Sequence, residues 1–237
     1  MKIDLLADTR DKIENAYSEL GYQLGWSFLY TPAKTLSPTA RFLFMGMNPG
    51  GGEKSFSMST EEGNAYDPKV EEWVKGGSPL QHQVVALYEL LAARLNVAPK
   101  ILMNATLAAN FCPFRSTTWG ELKKQNDAIA FSRALWAELL EKTDVTTIVC
   151  MSSVTFQQIT AILAAKAIAK ACEQHAAGWG NIKYHVKEYD MKGRRILVIG
   201  LPHLSRYQIF KRDASSSNAA QVANRIAESL KGWVPEC

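Results

Sequence analysis

The sequence predicts an α/β fold: a three-layer sandwich in which helices cover both faces of a central, mainly parallel four-stranded sheet. Two observations lead to this class. Four short, largely apolar runs alternate with longer stretches of helical periodicity, and they lie in residues 42–47, 102–111, 145–151 and 195–200. Because these runs lack the strict alternation of a half-exposed strand, we expect them to be buried on both faces of a parallel sheet.

Helices are expected between these runs and at both ends of the chain. The spacing of apolar residues predicts them at 4–20, 80–95, 121–141, 152–175 and 218–230. Asp4 stands at the start of the first helix, and Ser152 and Ser153 at the start of the fourth, where their side chains can accept hydrogen bonds from free N–H groups. Residues 51–79 are expected to form a long loop, and residues 182–188 an antiparallel or edge strand.

Length and composition fit a single domain, 1–237. The chain has 237 residues, of which 47% are hydrophobic and 21% charged, as is typical of a globular rather than a disordered protein. No apolar run reaches the roughly 18 residues that cross a bilayer, and the acidic first turn is unlike a signal peptide. We therefore expect a cytoplasmic, monomeric protein that makes no membrane contact.

Charge is distributed unevenly along the chain. The formal net charge is +4, but residues 183–212 carry eight basic and two acidic side chains, while residues 53–72 carry six acidic and two basic ones. A basic segment suits a polyanion such as DNA, although a solvated protein surface can have the same composition. Any nucleic acid is therefore expected to approach one side of the molecule.

The four cysteines are too scattered for a metal site. Cys112, Cys150, Cys172 and Cys237 form no C-x-x-C pair, so the sequence predicts no zinc site, no iron–sulfur cluster and no disulfide framework. We expect free thiols, no metal and no cofactor.

Three unusual loops follow predicted strands, after Met47, after Phe111 and after Gly200. Loops at the carboxyl ends of parallel strands form the working edge of such sheets, so we expect these three to meet at one site. In the first loop, Gly46-Met-Asn-Pro-Gly50, Pro49 fixes a turn and the glycines let backbone N–H groups come close to a ligand. The same pattern also suits an ordinary turn.

Each loop presents a side chain suited to chemistry. Asn48 and Asn110 offer amides at two strand ends, with Asn104 as a second candidate, and an amide can both donate to and accept from the edge of a nucleobase. His203 follows a strand and Pro202, and an imidazole held there can stabilise negative charge on a leaving group. A purely structural hydrogen bond is the alternative for each.

Together these segments resemble the uracil-DNA glycosylase superfamily over residues 41–210. Gly46-Met-Asn-Pro-Gly50 is similar to motif A of its single-strand-selective and mismatch-specific branches, and Asn110-Phe-Cys-Pro113 is similar to a strand end of the single-strand-selective branch. His203-Leu-Ser205 resembles motif B, usually His-Pro-Ser, with a leucine in place of the proline. Gly63-Asn-Ala-Tyr66 resembles the segment whose aromatic ring stacks on the flipped base.

The resemblance implies a fold of the uracil-DNA glycosylase type and a monofunctional DNA glycosylase. Such an enzyme flips a nucleotide out of its strand and hydrolyses the N-glycosidic bond, which leaves an abasic site. The implied roles are catalysis for Asn48 and His203, base binding for Gly46, Met47, Pro49, Gly50, Tyr66 and Asn110, and DNA contact or wedging for Ser205, Arg206 and Tyr207. The partner is DNA, and the resemblance leaves open whether it is single- or double-stranded.

One departure from the family bears on the substrate. The uracil-only branch places a tyrosine just after the motif A proline, where it clashes with a substituent on C5 of the base, whereas this chain has Gly50-Gly51-Gly52. The pocket is therefore expected to admit uracil, 5-hydroxymethyluracil or a bulkier modified pyrimidine. Defence against phage DNA that carries hypermodified cytosine is the alternative to housekeeping repair.

Two other functions stay open at this point. Cys112 and His203 could form the thiol–imidazole pair of a cysteine hydrolase. The fold could also bind a modified base without cleaving it, because Asn48 is a weak catalyst and Leu204 departs from motif B.

Overall fold

The computed structural model describes residues 4–70 and 76–235. In these ranges the chain forms six α-helices: α1 (Leu5–Leu20), α2 (Pro79–Leu95), α3 (Pro99–Ala105), α4 (Gln125–Lys142), α5 (Ser153–Ala164) and α6 (Ser216–Ser229). It also forms nine strands: β1 (Gly25–Ser27), β2 (Phe42–Gly46), β3 (Ser55–Ser57), β4 (Leu107–Asn110), β5 (Thr147–Cys150), β6 (Ile168–Ala169), β7 (Glu173–Trp179), β8 (Ile182–Met191) and β9 (Arg194–Gly200). The predicted α/β class is confirmed.

Four parallel strands form the middle of the main sheet, in the order β4-β2-β5-β9. These are the strands expected from the four apolar runs. The sheet is nevertheless larger than the predicted four strands, because β8 pairs antiparallel with β9, and β6 and β7 both pair antiparallel with β8. In the described part of the chain the sheet therefore has seven strands, and β8 is not at its edge.

The predicted helix over 152–175 is too long. α5 ends at Ala164, after which the chain turns back to form β6 and β7. Alanine gives this segment a helical preference, but the backbone N–H and C=O groups along β8 need a neighbouring strand as partner. Pairing with β8 also accompanies the burial of Ala177, so tertiary structure overrides the local preference.

The run over 102–111 is divided between a helix and a strand. Pro99 begins α3, where its missing N–H costs nothing, and Leu102 and Met103 are buried by this short helix. β4 starts only at Leu107. The prediction of a strand within this run is confirmed, but its first half is helical.

The central strands bury side chains on both faces. Leu43 and Met45 of β2 belong to an apolar cluster with α1, α4 and α5, whereas Phe42 and Phe44 belong to a second cluster with α2 and α6. None of these four side chains is more than 1% exposed. Helices therefore flank the sheet on both faces, as in an α/β sandwich.

Acidic residues between 53 and 70 hold the loop that precedes α2. Hydrogen bonds from Ser59 and from the backbone N–H of Ala33 lower the pKa of the Glu61 carboxyl group. Asp67 is buried and accepts from the backbone N–H of Lys69 at 2.9 Å. The other two acids of the predicted acidic segment, at 71 and 72, lie outside the described residues.

Candidate active site

A cleft of about 430 Å³ opens where β2, β4 and β5 end and where the loop after β9 approaches them. Its walls include most of the predicted site residues: Gly46, Met47, Asn48, Gly50, Tyr66, Asn110 and His203. Pro49 lies between two of them in the chain. The three loops expected to meet at one site therefore do meet.

The amide of Asn48 is held by acceptors on one side. Its Nδ2 atom donates to the Ser116 hydroxyl oxygen at 2.8 Å, and it also lies 3.3 Å and 3.4 Å from the carbonyl oxygens of Pro49 and Phe114. Ser116 gives its own proton to the carbonyl oxygen of Thr118 at 2.8 Å, so its oxygen can only accept. These partners fix the amide orientation and, among the described residues, leave Oδ1 free to accept from a water or ligand.

Asn110 lies beside Gly46, in register at the ends of β4 and β2. Its Nδ2 donates to the carbonyl oxygen of Ser27 at 3.1 Å, which leaves its second N–H and its Oδ1 available within the described structure. A side chain at Gly46 would come within 3.4 Å of that oxygen and within 3.2 Å of the Met151 methyl group. Glycine at this position therefore keeps the Asn110 amide accessible from the cleft.

Tyr66 enters the cleft from the loop before α2. Its ring packs edge-on against Tyr30, with centroids 5.3 Å apart and planes at 90°. The Tyr66 N–H donates to the Asn64 side chain at 2.9 Å, and the Asn64 N–H donates to the Asn104 side chain at 3.0 Å. A Cβ on Gly63 would lie 3.0 Å from that same Asn104 oxygen. The candidacy of Asn104 as a base-binding residue is therefore wrong, because it lies in α3 and anchors the loop that carries Tyr66.

His203 is held by a tight turn and a buried anchor. Its Nδ1 lies 2.7 Å from the Ser205 hydroxyl oxygen, and its carbonyl oxygen accepts from the backbone N–H groups of Arg206 and Tyr207 at 2.9 and 3.0 Å. Leu204, which stands where motif B has proline, is 0% exposed. Burial of this leucine therefore restrains the loop in place of a proline ring.

The imidazole of His203 is poised as a neutral donor. Partial burial and, after it, the positive charge of Arg206 lower the pKa of His203 from its usual 6.5, so the ring is uncharged at neutral pH. When Nδ1 of a neutral ring accepts from Ser205, the single proton resides on Nε2. That N–H is then available to a ligand.

The two predicted wedge residues have different surroundings, and neither lines the cleft. Tyr207 is half-buried and lies edge-on against Trp179, with ring centroids 6.2 Å apart. Trp179 donates to the carbonyl oxygen of Gln208 at 3.2 Å and is covered by the Arg212 guanidinium, 4.4 Å from the ring centroid. Arg206 is exposed and forms no ion pair within the described ranges. Of the two, Arg206 has the freedom to reach toward DNA.

Sequence reasoning missed two walls of the cleft. They are formed by the segment after β4 and by the start of α5, with the residues Ser116, Thr117, Thr118, Trp119, Met151, Ser152 and Val154. Leu80 of α2 also contributes. None of these residues belongs to a recognisable motif. The available signal was positional, because both segments follow the carboxyl end of a parallel strand.

The cleft has no carboxylate among its lining residues in the described structure. The pair of carboxylates that most glycoside hydrolases place around the scissile bond is therefore not present here. The described residues also contain no group of three or more His, Cys, Asp or Glu side chains placed to hold a metal.

Cys112 is not a nucleophile for this cleft. It is 0% exposed and does not line the cleft, and burial raises the pKa of its thiol to about 12. Since the thiolate is the reactive form, the cysteine hydrolase hypothesis is wrong. Cys150 is also a buried free thiol and Cys172 an exposed one, whereas Cys237 lies outside the described residues.

The basic segment 183–212 does not form a single patch. One group lies at the start of β9, at the end of the strand opposite His203: Lys192, Arg194 and Arg195. There Arg195 pairs with Glu188. A second group follows β9 on the side of the cleft: Arg206, Lys211 and Arg212. The fold therefore leaves only part of the positive charge near the cleft.

No protein-family model matches this chain, and a search of curated proteins finds no match. None of the helices in the described ranges has both the length and the apolar character needed to cross a bilayer.

Proposed function

We propose that this protein is a monofunctional DNA glycosylase with a fold of the uracil-DNA glycosylase type. The observation that carries the proposal is the meeting of Asn48, Tyr66, Asn110 and His203 at one cleft. These are the positions through which the sequence resembles that superfamily. Their geometry offers a base-binding amide, a stacking ring, an acceptor for water and a donor for the leaving group.

Base binding requires that the nucleotide leave its stack, at a cost of a few kcal/mol. Stacking on the ring of Tyr66 returns roughly 1–3 kcal/mol of this. Asn110 then reads the base edge with the N–H and the oxygen that the protein leaves unpaired. The T-shaped contact with Tyr30 fixes the Tyr66 ring before the base arrives.

Hydrolysis begins with cleavage of the C1′–N1 bond, whose electron pair stays on the base. The sugar becomes an oxocarbenium-like cation and the base an anion. A water molecule that donates to Oδ1 of Asn48 adds to C1′, and its proton leaves to solvent or to the departing base. Asn48 is not a general base, but an oxocarbenium ion needs only a weak nucleophile, which agrees with a cleft that lacks carboxylates.

His203 stabilises the departing anion. A neutral imidazole with its proton on Nε2 donates a hydrogen bond to a carbonyl oxygen of the base as negative charge develops there. Ser205 holds the ring in this tautomer through Nδ1. The lowered pKa of His203 keeps the ring neutral, so no proton has to be lost before the reaction starts.

Gly50 favours a broad substrate range. It lines the cleft, and a Cβ added to it would meet no atom within 4 Å. The site therefore has space where the uracil-only branch carries a tyrosine. The same observation supports the second candidate function, excision of a hypermodified cytosine from phage DNA.

Release of free base from oligonucleotides tests the proposal. Substrates carry uracil, 5-hydroxymethyluracil or a cytosine with a bulky C5 substituent, and abasic sites are revealed by alkaline strand cleavage. We expect Asn48→Ala and His203→Ala each to lower the rate by about tenfold or more, as for the loss of one preorganised group. His175→Ala, on the edge strand β7, is the matched control and should leave the rate unchanged.

Binding of a modified oligonucleotide without release of base would favour a non-catalytic binding protein instead. Equal rates for the wild type and both cleft variants would remove Asn48 and His203 from the mechanism.

A further inference from the structure

The loop after β4 is laced to the glycine loop after β2. The backbone N–H of Ser116 donates to the carbonyl oxygen of Pro49 at 3.3 Å, and the Arg115 guanidinium donates through Nη1 to the carbonyl oxygen of Gly50. Gly51 has a φ of +100°, and a Cβ on it would lie 3.1 Å from Arg115 Nη1. Arg115 therefore packs directly on the glycine loop at the mouth of the cleft.

Several donors in this region have no acceptor. Nε of Arg115 is buried without a hydrogen-bond partner, and Arg115 forms no ion pair in the described part of the chain. The backbone N–H groups of residues 50–53 likewise donate no hydrogen bond there. A positive fork and a run of free N–H groups thus share one small area. Such an arrangement suits an anion with several oxygens.

We propose that Arg115 and the backbone N–H groups of residues 50–53 form a binding site for one backbone phosphate of DNA. The inference rests on the proposed function, because it uses the entry of a nucleotide into the cleft. When a base lies between Tyr66 and Asn110, its sugar and phosphates stay at the mouth, where Gly50 and Arg115 are. Glycines let the phosphate approach the backbone closely, and the guanidinium can bind two of its oxygens.

A structural role for Arg115 makes a different prediction. If Arg115 only clamped the glycine loop through Gly50, its loss would disturb the cleft but would not change the number of counterions released when DNA binds. The salt dependence of binding therefore separates the two roles, because each phosphate contact contributes to that slope.

The test measures binding of a lesion-free, fluorescently labelled single-stranded oligonucleotide by anisotropy over a range of salt concentrations. For Arg115→Gln we expect severalfold weaker binding, with the slope of log K against log salt reduced by about 0.7, the value for one phosphate contact on a single strand. The matched control is Arg41→Gln, since Arg41 is exposed just before β2, at the opposite end of the strand that carries the glycine loop. It should keep the wild-type slope. An unchanged slope in Arg115→Gln would overturn the proposal.

A second variant keeps the proposal testable if Arg115→Gln does not fold. Thr117 is exposed, and its hydroxyl lies 3.9 Å from the position of a Cβ on Gly52. Thr117→Asp adds a negative charge there and should weaken binding severalfold at low salt, and wild-type affinity would count against a phosphate site. Both measurements detect binding alone. A chain that shows these salt effects but releases no base from any substrate would refute the glycosylase and retain the phosphate site.

Discussion

The Asn48 amide nitrogen lies 2.8 Å from the hydroxyl oxygen of Ser116, which donates in turn to the carbonyl oxygen of Thr118. This relay links the residue proposed to hold the water to a segment that carries no recognised motif. Because the hydroxyl proton is already committed, the amide of Asn48 can present only its nitrogen to Ser116. The carbonyl oxygen then faces away from these partners.

Ser116→Ala should impair the chemical step more than substrate binding. The variant leaves Asn48 with only the longer contacts to Pro49 and Phe114, so the water is held less firmly. We expect kcat to fall about tenfold with KM little changed, by analogy with the loss of a preorganised group. Steady-state kinetics on the best substrate measure this. Ser116→Thr, which keeps a hydroxyl, should recover most of the rate, and a rise in KM alone would contradict the positioning role.

The acid limb of the pH–rate profile should report His203. Burial and the charge of Arg206 lower its pKa from 6.5, and the proposed donor is the neutral ring, so the rate should fall as pH drops through that lowered pKa. Arg206→Gln removes one cause of the shift and should move the limb to higher pH. Single-turnover rates at saturating protein separate this effect from weaker DNA binding.

Lys211→Gln is the matched control for this pH experiment. Lys211 lies on the same segment and loses the same charge, but it is not among the groups that shift the pKa of His203. Its limb should stay in place. A rate that rises as the pH falls would show that the imidazolium, not the neutral ring, is the active form.

Gly50→Tyr should narrow the substrate range without unfolding the protein. A Cβ at this position meets no atom within 4 Å, and the backbone there is not left-handed, so we expect a stability change within about 0.5 kcal/mol. The ring should occupy the space left for a C5 substituent. Competition between uracil and 5-hydroxymethyluracil in one oligonucleotide should then shift about tenfold or more toward uracil, whereas Gly50→Ala should keep the wild-type ratio.

Leu204→Ala should cost about 2–5 kcal/mol of unfolding free energy, the range for truncating a fully buried leucine. The side chain is 0% exposed and belongs to the core cluster between the sheet and α2 and α6. Urea denaturation measures the loss, and Leu204→Met, which nearly keeps the volume, should cost less than about 1.5 kcal/mol. A loss below 0.5 kcal/mol in the alanine variant would mean that the His203 loop has another anchor.

The parallel core and three loops of the cleft could be predicted from the sequence. Strands buried on both faces leave nearly continuous apolar runs, such as Phe42–Gly46, and these runs end at polar residues that a parallel sheet brings to one edge. Asn48, Asn110 and His203 were accessible to this reasoning because each directly follows or ends such a run.

The remaining features depend on contacts that no local pattern encodes. Ser116 and Arg115 belong to the site only because the chain after Pro113 crosses back over the glycine loop. The hairpin formed by β7 and β8 replaced a predicted helix because strand pairing outweighed the helical preference of alanine. Asn104 looked suited to base binding, but the start of α3 at Pro99 removed it from the cleft.

The pairing of Gly46 with Asn110, and of Cys150 with Gly200, has a consequence for how the protein is assembled. Each partner comes from a remote part of the chain, so contact order is high and folding should be slow for the size of the domain. No contiguous fragment that stops before β9 contains every wall of the cleft. Proteolytic fragments should therefore be inert alone, and function should return only when complementary pieces reassociate.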